Sequence, residues 1–134
     1  MATWLAAWLA AGPSVRAVAV PLFDGSRSHD RATELVLRYY AAFNAGDMPG
    51  FLALLSEDVI HDINQGERQM GKARFAAFMD KMNRCYRERL ADIVVMQNAD
   101  GSRAAAEFTV HGEYLADDEG LPAANGQTYV LSAG

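Results

Sequence analysis

A single cysteine, Cys85, is all the thiol chemistry in this chain, so an intrachain disulfide is impossible and no cysteine cluster can hold zinc or an iron–sulfur group. A reducing, cytoplasmic compartment is the expectation that follows. Phe78, Met82 and Tyr86 surround Cys85 at helical spacing, which reads as a small buried hydrophobe and not a nucleophile. Positive charge is also short. The formal net charge of −5 offers no broad field for nucleic acid, and the local cluster Arg84, Arg87 and Arg89 reads as a solvated helix face. Histidine occurs three times, at 29, 61 and 111, without metal-ligand spacing, so no metal is expected. There is no glycine-rich phosphate loop after a strand and no GxSxG element, which disfavours a nucleotide cofactor and a serine nucleophile; no cofactor is expected. The apolar run MATWLAAWLAAG lacks a basic flank and is too short to span a bilayer, so no membrane partner is expected, with a signal peptide as the alternative reading of the run.

What remains is a chain of 134 residues, 51% hydrophobic and 22% charged, enough for one hydrophobic core. Residues 1–30 mix Pro, Gly, Ser and charge around a strand-like Val18 to Phe23 and read as an extension; the domain is expected over 31–134.

Within that domain a helix is predicted from an N-cap at Asp30, with Ala32, Leu35, Val36, Tyr39 and Phe43 on one face and Asn44-Ala45-Gly46 ending it. Asp47 caps a short second helix with Pro49 in its first turn. Val59 to Ile63 is β-branched and reads as a strand carrying His61 and Asp62, and residues 66–71 read as a turn. A third helix from Lys72 aligns Phe75, Phe78, Met79, Met82, Cys85 and Tyr86. Ile93 to Met96, Ala104 to Leu115 and a segment from Thr128 read as strands, giving the order ααβαβββ. This is an α+β fold, three helices laid on one face of a curved, mostly antiparallel sheet and enclosing a pocket in a cone.

The segments RYYAAFNAGDMPGFLALLSEDVIHD, MGKARFAAFM and AAAEFTVHGEY together resemble the nuclear transport factor two-like superfamily, and most of all its ketosteroid isomerase-related branch. The resemblance covers about residues 31 to 133. It implies a pocket for a small hydrophobic molecule and, in the isomerase branch, acid–base chemistry on a carbonyl or related compound; isomerase, cyclase and hydrolase relatives exist beside non-catalytic binding or dimerisation domains. It also implies a homodimer, and further strands beyond Gly134, so the chain reads as truncated at its C-terminal strands, with a sheet edge for the Val18 to Phe23 segment or, by preference, a second chain to cover.

The resemblance places Tyr39 at the position of a phenol that donates to a developing oxyanion. Asp62 falls at the position of the proton-shuttling acid if one residue is deleted before it; without the gap, Ile63 falls there. Adjacent strand residues face opposite ways, so either Asp62 points into the pocket, or it points out and His61 points in. In apolar surroundings a carboxyl becomes a better base near neutrality, which makes Asp62 and Tyr39 the expected catalytic pair and His61 a further candidate acid or base. Phe43, Asn64, Phe78, Phe108 and Val110 are the expected ligand contacts, while His111 and Glu113 are expected on the opposite strand face. Thr128 to Gly134 contains no Asp or Glu, so the isomerase's second oxyanion-binding acid has no counterpart there.

Overall fold

The computed structural model describes residues 14–16, 28–63 and 66–134. The strand-like Val18 to Phe23 and the candidate ligand residue Asn64 lie outside the described residues.

Helix α1, Ser28–Ala45, starts two residues earlier than the N-cap expected at Asp30. Ala32, Leu35, Val36, Tyr39 and Phe43 are half-buried on it, as the period of the sequence predicts, and Thr33, Tyr40 and Ala42 widen that face. Gly46, at φ 68°, ends it: the Gly46 amide donates to Phe43 O at 3.0 Å and the Asp47 amide to Ala42 O at 2.9 Å, a pair of bonds that needs a left-handed residue between them. Asp47 then caps α2, Met48–Ala53, by accepting from the Gly50 amide at 3.0 Å, and Phe51 on that helix is buried.

Three short strands follow one another across a small antiparallel sheet: β1, Ser14–Arg16, pairs with β2, Ile60–Asp62, which pairs with β3, Arg68–Met70. The segment read as a turn is therefore a hairpin arm, short and polar enough to hide its strand character. Helix α3 spans Lys72–Cys85 and buries Phe75, Met79 and Cys85.

The larger sheet, in the order β4-β5-β6, consists of Tyr86–Gln97, Ala104–Tyr114 and Thr128–Ala133, all antiparallel. Its first strand corrects the sequence reading. Tyr86 does not continue the helical stripe; at φ −136° it is already extended, so β4 follows α3 without a loop. Arg87 and Arg89 consequently stand exposed on one face of a strand, not along a helix, and Tyr86, Glu88 and Leu90 turn to the other. The expected strand at Ile93 to Met96 is only the far end of this one. Between Ala91 and Val94 the pairing shifts register and Asp92 adopts φ 54°, a bulge that bends the strand.

Two apolar clusters hold the elements together. Phe51, Leu55, Val59, Phe75 and Met79 join α2, the segment leading into β2, and α3, and Cys85, Tyr86 and Tyr114 pack at the start of the large sheet. The burial of Cys85 agrees with its reading as a small hydrophobe. Residues 115–127 are pinned by the buried Asp118: its carboxylate accepts from Tyr86 Oη at 2.8 Å and from the Glu119 amide at 2.9 Å, and pairs with Lys81 Nζ at 2.8 Å. The Tyr114 hydroxyl accepts from the Asp118 amide at 2.8 Å and donates to Pro122 O at 2.9 Å. No helix among the described residues is long and apolar enough to cross a membrane.

Candidate functional site

A cavity of about 590 Å³ lies between α1, α3 and the inner face of the large sheet. Its size is that of a site for a small organic molecule. Four expected contacts, Phe43, Phe78, Phe108 and Val110, line it, together with Tyr39. The Tyr39 ring lies 4.1 Å from that of Phe51 and edge-on to Tyr40, whose ring stands 5.0 Å from Phe108. Burial pushes the Tyr39 phenol well above its ordinary pKa, reinforced by Tyr40, so it stays protonated and available as a donor.

The strand that carries His61 and Asp62 adopts the ungapped arrangement. Asp62 faces Arg68 directly across the β2–β3 ladder, and the two make a forked ion pair, Nε to Oδ1 at 2.5 Å and Nη2 to Oδ2 at 3.0 Å, on a half-exposed surface. Ile63, not Asp62, reaches the cavity wall. A carboxylate fixed by a guanidinium in contact with water has its charged form stabilised, opposite to the environment expected of a pocket base. The pairing of Asp62 with Tyr39 in one cavity is therefore not the arrangement found.

His61 points inward, as that register requires, but behind the cavity wall. It is 1% exposed and sits edge-on to Phe75 and Phe78, at 5.0 and 4.8 Å between ring centres. Neither ring nitrogen has a well-formed hydrogen bond among the described residues, although Gln69 lies directly opposite in the ladder. Burial lowers the His61 pKa; Gln69 and the charge of Asp62 oppose the shift without cancelling it.

The carboxyl that does line the cavity is Glu88. Burial raises its pKa above the ordinary glutamate value, and a hydrogen bond from Tyr129 opposes part of that rise. The Tyr129 hydroxyl donates to Oε1 at 2.5 Å, and no hydrogen bond among the described residues reaches Oε2. Glu88, Gly112 and Tyr129 form one row across the sheet, Glu88 paired with Gly112 and Gly112 with Tyr129. Glu88 is hidden in the sequence because YRERL reads as a continuation of the helical stripe of α3. The signal was present as the two-residue alternation of Tyr86, Glu88 and Leu90 between arginines.

Three further side chains stand at or near the cavity sheet. Asn44, also on the cavity wall, bonds both backbone groups of Leu90. His111 is exposed and Glu113 pairs with Arg87 at 3.2 Å, both on the strand face opposite Phe108 and Val110, as alternation predicts. Among the described residues no three His, Cys, Asp or Glu side chains come together.

Comparison with known proteins accords with this architecture. A family model, the SnoaL-like domain, matches residues 36–134. Among solved structures, a candidate polyketide cyclase from Pseudomonas putida KT2440 is 93% identical, covering 75% of this chain and 76% of its own, with a TM-score of 0.74. Candidate polyketide cyclases from Xanthomonas campestris pv. campestris and Silicibacter sp. TM1040 are 58% and 51% identical, with TM-scores of 0.76 and 0.74. The first covers 78% of each chain, the second 77% of this chain and 75% of its own. None of the curated proteins matches. By the family model over most of its length and by these relatives, the chain belongs to the SnoaL-like domain family of the nuclear transport factor two-like superfamily.

Proposed function

We propose that this domain binds a small, largely apolar carbonyl compound and moves a proton on it, with Glu88 as the acid–base group and Tyr39 as the phenol that donates to the developing oxyanion. The observation that carries the reading is the placement of Glu88: a carboxyl in the wall of an aromatic-lined cavity, its charged form disfavoured by burial. Removing a proton from carbon beside a carbonyl leaves an electron pair that moves onto the oxygen, and a phenol held in its protonated form is suited to receive that charge. The same proton transfer can begin a ring closure, and the three similar structures are named as candidate polyketide cyclases.

Binding without chemistry is the second reading, favoured by the ion pair that engages Asp62 outside the cavity. A homodimer and a cytoplasmic setting accompany either reading as proposals. Incubation with a panel of aromatic and fused-ring ketones in deuterium oxide, followed by proton NMR, separates the two. Exchange at the α-carbon that is lost in Glu88→Gln and reduced in Tyr39→Phe supports the acid–base reading. Saturable binding without exchange for every ketone that binds supports the second.

A further inference from the structure

Tyr129 and Glu88 stand on strands that are not neighbours. In an antiparallel sheet adjacent Cα atoms are about 4.5–5.5 Å apart, so two residues separated by a whole strand meet only if one side chain lies flat over the residue between them. Here that residue is Gly112. A Cβ added at Gly112 would stand 2.0 Å from Tyr129 Cζ and 2.4 Å from its hydroxyl oxygen, both impossible contacts. Gly112 has no positive φ, so its backbone does not demand glycine; the space above it does.

We infer that Tyr129 is a positioning residue for Glu88, and that Gly112 is the gap that lets it act. The Tyr129 hydroxyl commits Oε1 as an acceptor, which leaves Oε2 as the oxygen free to exchange a proton with a bound ligand. Burial and the neighbouring Glu88 hold the Tyr129 phenol protonated, so the bond keeps one direction. It also restrains the proton affinity of Glu88, since a hydrogen bond to the charged form favours that form. The catalytic meaning of this arrangement rests on the acid–base reading of Glu88; the arrangement itself does not.

Carbon-13 NMR of the glutamate carboxyl carbons, with the Glu88 signal assigned by its loss in Glu88→Gln, tests the inference on the full chain without any ligand. In Tyr129→Phe, which removes one oxygen, the Glu88 midpoint should rise by about one pH unit above wild type. Gly112→Ala should raise it similarly although Tyr129 is still present, and the double variant should add nothing. A Glu88 midpoint unmoved in Tyr129→Phe overturns the inference, whatever Gly112→Ala does to folding. The wild-type midpoint speaks to the other reading: if it lies in the ordinary glutamate range, the proposed function fails even where the variants still shift it.

Discussion

The side-chain amide of Asn44, in the last turn of α1, takes the place of a neighbouring strand for Leu90: Nδ2 donates to Leu90 O at 2.8 Å and Oδ1 accepts from Leu90 N at 2.8 Å. Strand β4 is the edge of its sheet, so these two backbone groups have no ladder partner, and the helix supplies one. Asn44→Ala should lower stability by about 1–3 kcal/mol, because it orphans both groups in a partly buried place. Asn44→Asp should also destabilise, since a carboxylate cannot donate to the carbonyl. Urea unfolding is the check: the midpoint should fall with the slope unchanged, and an unaltered midpoint in both variants would show the clasp to be dispensable.

Burial makes His61 harder to protonate in the folded chain than in the unfolded one. The unfolded state therefore binds the extra proton first, and the His61 contribution to stability is complete above its unfolded value, about pH 6.5, and is lost as pH falls from there toward the lower folded value. His61→Phe removes this linkage while keeping an aromatic ring beside Phe75 and Phe78. Thermal melts at pH 7 and pH 5 should show wild type losing more on acidification than the variant. Equal losses would mean that His61 titrates alike in both states.

Asp118 presents the opposite case. Its burial alone would raise its pKa, but the bonds from Lys81, Tyr86 and the Glu119 amide outweigh burial and lower it. Its contribution is thus present above the unfolded aspartate value, about 3.9, and is lost as pH falls through the lower folded value. At neutral pH Asp118→Ala should cost about 1–3 kcal/mol, since it removes the acceptor of the Tyr86 hydroxyl and the partner of Lys81 and frees residues 115–127 from their anchor. Amide hydrogen exchange should quicken there first, and uniform protection across the variant would contradict the anchor.

The parts of this fold legible in the sequence are those written in local periodicity. The apolar stripe of α1 placed Tyr39 and Phe43 at the cavity, that of α3 placed Phe78, and the alternation of β5 placed Phe108 and Val110. Glu88 was hidden because the helical period passes into the strand period between Cys85 and Tyr86 with no glycine, proline or loop to mark the change. The orientation of Asp62 turns on a single residue of register, which the sequence leaves open and the Arg68 partner across the hairpin fixes. The clasp of Asn44 on Leu90 spans 46 positions and that of Tyr129 on Glu88 spans 41, separations at which no spacing rule operates.

The central claim is that Glu88, and not Asp62, takes the proton, and the pH–rate profile of α-deuterium exchange in a ketone that binds tests it most directly. A base acts when deprotonated, so the wild-type rate should rise with pH through a midpoint above the ordinary glutamate value. Glu88→Gln should lower the rate by about 100-fold or more while the same ketone still binds. Asp62→Asn, which breaks an exposed ion pair away from the cavity, should leave both the rate and the profile as they are. Full exchange in Glu88→Gln together with its loss in Asp62→Asn would contradict the account.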